Sequence, residues 1–168
     1  VEAESWEILR PFIETKSFNG RYVRTAKGRL ALELQRSVGD VLYNSDDATV
    51  QSIEIKAERK WTGNVFLERW SNRKAFTPGW LETLNCDLLL CHYLDQDRLL
   101  ALHFPNLRKW LYHCDRWKKP HASLYPQVDQ GKYVQRNDTW GYIVPVTDFP
   151  REVLQGEFRP AFMAVSYT

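Results

Sequence analysis

Along Val50–Arg59, VQSIEIKAER, alternation places Ile53, Ile55 and Ala57 on one face of a strand and Glu54, Lys56 and Glu58 on the other. The apolar face packs, and the charged face is either solvated or used. Asp40 opens the preceding strand-like run, Val41–Asn44, and a turn over Ser45-Asp46-Asp47 would make the two runs antiparallel neighbours, carrying Asp40 close to Glu54. Carboxylates that meet at one sheet end repel and favour a divalent cation between them. Oxygen-only donors suit Mg2+ or Mn2+, which keep waters and bind a phosphate as well. Lys56, two residues beyond Glu54 on the same face, would reach that phosphate, stabilise negative charge on a phosphorane and orient the attacking water. The same residues also fit a plainer arrangement: an exposed ladder of cross-strand pairs, with Asp40 a turn residue after Gly39.

The elements that must position these groups are read from periodicity. Residues 5–16, SWEILRPFIETK, predict a short helix interrupted at Pro11. From Arg21 to Ser37 and its flank, Tyr22, Ala26, Leu30, Leu34 and Val38 recur every fourth residue, which predicts an amphipathic helix with Glu33 at the edge of its apolar stripe. Val41–Asn44, Val50–Arg59 and Asn64–Trp70 then predict a meander of three strands. The Thr77-Pro78 pair starts a short helix within Thr77–Asn85, and Asp87–Phe104 splits at Asp95-Gln96-Asp97 into two strands. Pro105–Trp117 has helical spacing, residues 118–139 are polar and turn-rich, and Thr139–Phe149 predicts a last strand. The order implies an α/β or α+β fold with a central mixed sheet, in one domain spanning 1–168.

Composition agrees with a packed domain. Of 168 residues, 43% are hydrophobic and 14% aromatic, too many core formers for a disordered chain. With 23 basic and 21 acidic residues the net charge is only +2, so any nucleic-acid footprint must be local rather than global. Three cysteines, Cys86, Cys91 and Cys114, form no disulfide framework and point to reduced, buried thiols in a cytoplasmic setting. Cys114 follows His113, but no CxxC or HxxxH spacing accompanies them, and His92, His103, His113 and His121 read as structural. No apolar run is long enough to span a bilayer, and VEAESWEILR is acidic rather than signal-like.

Asp40, then Glu54-Ile55-Lys56 after a hairpin-sized gap, preceded by a predicted helix bearing Glu33, resembles the PD-(D/E)XK nuclease superfamily over roughly Arg21 to Phe104. That superfamily includes restriction endonucleases, junction resolvases and phage nucleases. The resemblance implies a restriction-endonuclease-like αβββαβ core. It implies Mg2+, with Mn2+ substituting, held by Asp40, Glu54, the backbone carbonyl of Ile55 and Glu33, and a catalytic Lys56 beside Asp40 and Glu54. TGNVFLERWSN (Thr62–Asn72) is similar to the strand that follows the catalytic one in such proteins, which adds Asn64 and Glu68, with Glu58, as secondary site residues. Gly39 stands where the family name has proline, and no QxxxY motif is present, which points away from a processive exonuclease.

Basic residues cluster at Arg21, Arg24 and Lys27 and again around Lys118 and Lys119, patterns shared by solvated faces and by phosphate-tracking surfaces. The polar stretch Lys118–Trp140, with Lys132, Tyr133 and Arg136, reads as a recognition loop able to stack on or hydrogen-bond to bases, or as an ordinary long surface loop. Together these features lead to the expectation of a metal-dependent DNA endonuclease, homing- or restriction-like or junction-resolving. It would act on duplex or branched DNA as a homodimer or homotetramer, in a bacterial or phage-infected cytoplasm. The rival from another class is a catalytically silent module that uses the same sheet to bind nucleic acid or protein.

Overall fold

The computed structural model describes residues 1–14, 20–24, 41–45, 50–114, 119–129 and 138–161. The described chain is α/β and divides into two compact units, one made of residues 1–61, 85–104 and 154–168 and the other of residues 62–84 and 105–153.

The first unit is built on a six-stranded mixed sheet. Its strands are β1 (Gly20–Arg24), β2 (Val41–Ser45), β3 (Val50–Glu58), β6 (Leu88–Tyr93), β7 (Arg98–His103) and β10 (Leu154–Phe158), side by side in that order. Neighbours are antiparallel except β3 and β6, which run parallel with Ile53 opposite Leu88 and Glu58 opposite Tyr93. Every residue of β6, LLLCHY, is buried, as expected for a central strand covered on both faces. Helix α1 (Glu2–Glu14) lies on one face of this sheet. Its Trp6, Leu9 and Ile13 recur at helical spacing and close over Ile53, Ile55, Leu88, Leu90, Leu99 and Ala101, with Phe158 at the margin. That burial carries the helix through Pro11, where the sequence predicts an interruption.

The second unit holds a four-stranded antiparallel sheet in the order β5 (Thr77–Pro78), β4 (Asn64–Asn72), β9 (Trp140–Pro145), β8 (Gln127–Asp129). Two helices belong to it, α2 (Trp80–Thr83) and α3 (Phe104–Tyr112, entered from the first unit). Val65, Leu67, Leu81, Leu107, Leu111, Tyr142 and Val144 are buried. Gly141 faces Glu68 in the ladder, and a Cβ there would run into the Leu67 carbonyl oxygen and the Phe66 ring. Gly141→Ala is therefore expected to lower stability by about 1–3 kcal/mol, read as a shift of the urea midpoint. An unmoved midpoint would mean that the ladder yields without strain.

Several predicted elements are corrected. Gly20–Arg24 is a strand paired with β2 where the four-residue stripe predicts a helix from Arg21; Tyr22 and Val23 are strand formers, and a full ladder to Val41–Ser45 outweighs the helical period. The remainder of that predicted helix lies outside the described residues. Asn64–Trp70 is a strand as predicted, but it joins the second sheet; the third strand of the meander is β1, and the open side of β3 is taken by β6. Thr77-Pro78 forms strand β5 and the helix begins at Trp80. The predicted loop contains β8, and a further strand, β10, follows the one predicted to be last. The two strands predicted within Asp87–Phe104 are β6 and β7, joined through Leu94–Gln96 and a left-handed Asp97. Among the described residues no helix is long and apolar enough to cross a membrane.

Candidate functional site

Because β3 has α1 against its Ile53 and Ile55 face, Glu54, Lys56 and Glu58 fall on the opposite face. The parallel register sets Glu54 beside Leu89, Lys56 beside Cys91 and Glu58 beside Tyr93, and the next strand adds Leu102, Leu100 and Arg98. The row of charges is thus flanked by largely apolar rows. Glu54 is only 5% exposed, and Lys56 Nζ donates to its Oε1 at 2.5 Å. The lysine is half-buried, its side chain 31% accessible, so the pair is not sealed from solvent.

The surroundings report the same low polarity. Burial, and then the Glu54 charge, push the Cys86 thiol up to about 12. Burial also pushes Cys91 up to about 12, against the opposing pull of Lys56. Both thiols stay protonated at neutral pH, which leaves them outside nucleophilic chemistry. Cys86 and Cys91 are buried as expected, whereas Cys114 is exposed. The protein around Glu58 desolvates its carboxyl and raises it above the ordinary range, although the residue is exposed.

Beyond Glu58 lies a cluster the sequence does not announce. Trp61 meets Tyr93 edge-on at 4.7 Å, and Arg98 stands over the Trp61 ring at 4.4 Å while its Nε reaches Glu157 at 3.1 Å. Asp95 ties the end of β3 to the β6–β7 turn by accepting from Trp61 N at 2.9 Å. The signal for this cluster is the parallel pairing of β3 with β6, which no local pattern encodes.

The other expected site residues are distributed as follows. Asp40, Glu33, Lys27, Lys118, Lys132, Tyr133 and Arg136 lie outside the described residues. Arg21 and Arg24 are on strand β1, so the helical spacing that grouped them with Lys27 does not apply. Lys119 is exposed. Asn64 and Glu68 belong to the second unit: Asn64 donates to the Thr62 carbonyl at 3.2 Å, and Glu68 accepts from Trp80 N at 3.3 Å, an N-terminal contact of α2. Among the described residues no three His, Cys, Asp or Glu side chains converge as metal ligands; of the expected donors only Glu54 and Ile55 are described.

A serine, an imidazole and a carboxylate also stand in a row. Ser5 Oγ is 2.8 Å from His92 Nδ1, and His92 Nε2 is 3.8 Å from Asp97 Oδ1. Ser5 and His92 are fully buried, so no substrate reaches them; the contact fastens α1 to β6. Burial lowers the His92 pKa, while Asp97 and Glu4 act in the opposite direction. The unfolded chain, with its imidazole near 6.5, then binds more protons than the folded one at mildly acidic pH, so stability rises with pH through that window. It is fully present above the unfolded value and lost as pH falls below it, by at most about 1.4 kcal/mol per pH unit. The stability gap between wild type and His92→Gln is expected to narrow as pH drops from about 7 to about 5 in urea titrations. A constant gap would show that His92 titrates alike in both states.

No family model matches the chain, and no curated protein or solved structure matches it.

Proposed function

We propose that this chain is a Mg2+-dependent DNA endonuclease with a PD-(D/E)XK-type site centred on Glu54 and Lys56. The observation that carries the reading is the 2.5 Å pair between a lysine and a carboxylate only 5% exposed, two residues apart on one strand face. An ion pair in such surroundings is weak ground for stability, because well-packed apolar residues of similar volume often do as well. A site that must hold a phosphate and a hard cation needs these groups. The strand order supports the reading too: a helix, three antiparallel strands, and a later strand parallel to the third are compatible with an αβββαβ core.

The donor chemistry fits a hard cation. Glu54 offers carboxylate oxygen at the sheet face, and Val41, the residue after Asp40, is registered opposite Ile53, the residue before Glu54. Asp40, Glu54 and the Ile55 carbonyl would hold Mg2+, with Glu33 a further donor. When bound, Mg2+ supplies Lewis acidity and charge neutralisation at the scissile phosphate. Lys56 places its ammonium against a non-bridging phosphate oxygen and orients the attacking water. Glu54 aims the lysine through their mutual hydrogen bond. The test is cleavage of supercoiled plasmid and of a synthetic four-way junction with Mg2+, Mn2+ or EDTA, alongside Lys56→Ala. Cutting that needs both the metal and Lys56 supports the reading, and metal-independent cutting, or cutting untouched by the substitution, removes it.

A further inference from the structure

The turn between β4 and β5 presents an aromatic ring to water in a conformation that aromatic residues avoid. Phe76 is 80% exposed and has φ 52°, in the left-handed region. A bulky side chain held there is strained, and such strain persists only where the surroundings over-determine the backbone. They do so here. Arg73 N donates to Asp138 O at 2.8 Å, Lys74 N to Asp138 Oδ2 at 3.0 Å, Ala75 N to Asn72 Oδ1 at 3.0 Å and Phe76 N to Arg73 O at 3.1 Å. Asp138 also accepts from Trp140 Nε1 at 2.9 Å, and the Arg73 guanidinium stands over the Trp140 ring at 4.4 Å. The tip is a preformed platform rather than a loose loop. Phe76 and Trp70 stand nearly perpendicular with their ring centroids 6.5 Å apart, and the exposure of Phe76 leaves its ring open to a stacking partner.

Arg73 and Lys74, both exposed, flank the ring. A partner for this tip must combine a flat apolar face with negative charge a few ångströms away. An unstacked base on its phosphate backbone has that combination, and ring stacking accepts any base because each has a π-face. A single ring is a small apolar anchor for a lipid surface. We infer that Phe76 stacks on an unpaired base of a nucleic-acid strand whose phosphates are met by Arg73 and Lys74. The inference rests on the proposed function for the class of polymer and deepens it toward recognition of single-stranded or distorted DNA.

The experiment measures binding of a labelled single strand carrying 2-aminopurine, by anisotropy and by base fluorescence, in EDTA. Phe76→Ala and Phe76→Leu are each expected to weaken binding about tenfold and to abolish the change in base fluorescence, while Phe76→Trp retains both. The ring is exposed, so these variants should keep the wild-type thermal midpoint. Equal affinities across the series, no strand binding by the wild type, or Phe76-dependent binding to anionic phospholipid vesicles instead of the strand would overturn the inference. The two proposals fail separately. Lys56-dependent cutting with Phe76-independent binding sinks only the stacking platform; Phe76-dependent binding without metal-dependent cutting sinks only the nuclease.

Discussion

If the proposed site is correct, Lys56→Ala is expected to cut plasmid or junction DNA about a hundred to a thousand times more slowly than wild type with Mg2+ present, because it removes the cation that would face charge building on the phosphate. The substitution also leaves Glu54, 5% exposed, without the lysine that now donates to it. Removing one member of a buried pair costs about 3–5 kcal/mol where burial is complete, and less here because the lysine side chain is 31% accessible. A loss of activity could therefore be confused with a loss of fold. The double variant Glu54→Gln/Lys56→Met keeps side-chain volume and removes both charges, so it should regain stability relative to Lys56→Ala. Its activity should not recover. Rates are to be compared at equal folded fraction, with circular dichroism melts for each protein. If the double variant cuts DNA like wild type, the pair is structural and the nuclease reading of β3 fails.

How far this site is legible in the chain differs between its parts. The alternation of Ile53, Ile55 and Ala57 against Glu54, Lys56 and Glu58 is a local, period-two signal, and β3 follows it residue for residue. Its antiparallel partner is legible as well, since only four residues separate Val41–Ser45 from Val50–Glu58 in the sequence. The parallel partner is not. LLLCHY begins 30 residues after Glu58, and nothing local states that Leu89 and Cys91 will lie beside Glu54 and Lys56. That placement makes the surroundings apolar. The misread β1 has a different cause: Tyr22, Ala26, Leu30, Leu34 and Val38 satisfy a helical period, yet the pairing of Gly20–Arg24 with β2 is a tertiary interaction that overrides it. Glu68 shows a third limit. Its sequence context suggests a site residue, and the feature that distinguishes it is a helix start twelve residues away, where Trp80 N donates to its carboxylate.

The opposite face of β3 carries the other large effect. Leu9→Ala is expected to destabilise the protein by about 2–5 kcal/mol, since Leu9 is fully buried and its removal leaves a cavity between α1 and the sheet. The spread in that range reflects how far the site can collapse. Here Ile53, Leu90 and Leu99 are anchored in ladders on both sides, and the helix itself is fastened at Ser5 by the 2.8 Å contact with His92, so little relaxation is available. The upper half of the range is the expectation, measured as ΔG from urea or guanidinium titration with the slope checked for change. Because Glu54 and Lys56 point away from α1, the folded fraction of Leu9→Ala should retain Lys56-dependent cutting within about threefold. Compared at equal folded fraction, Lys56→Ala is thus expected to lose the cutting rate and Leu9→Ala to keep it. A Leu9→Ala protein that loses less than about 1 kcal/mol would mean that α1 is not what covers this face of the sheet.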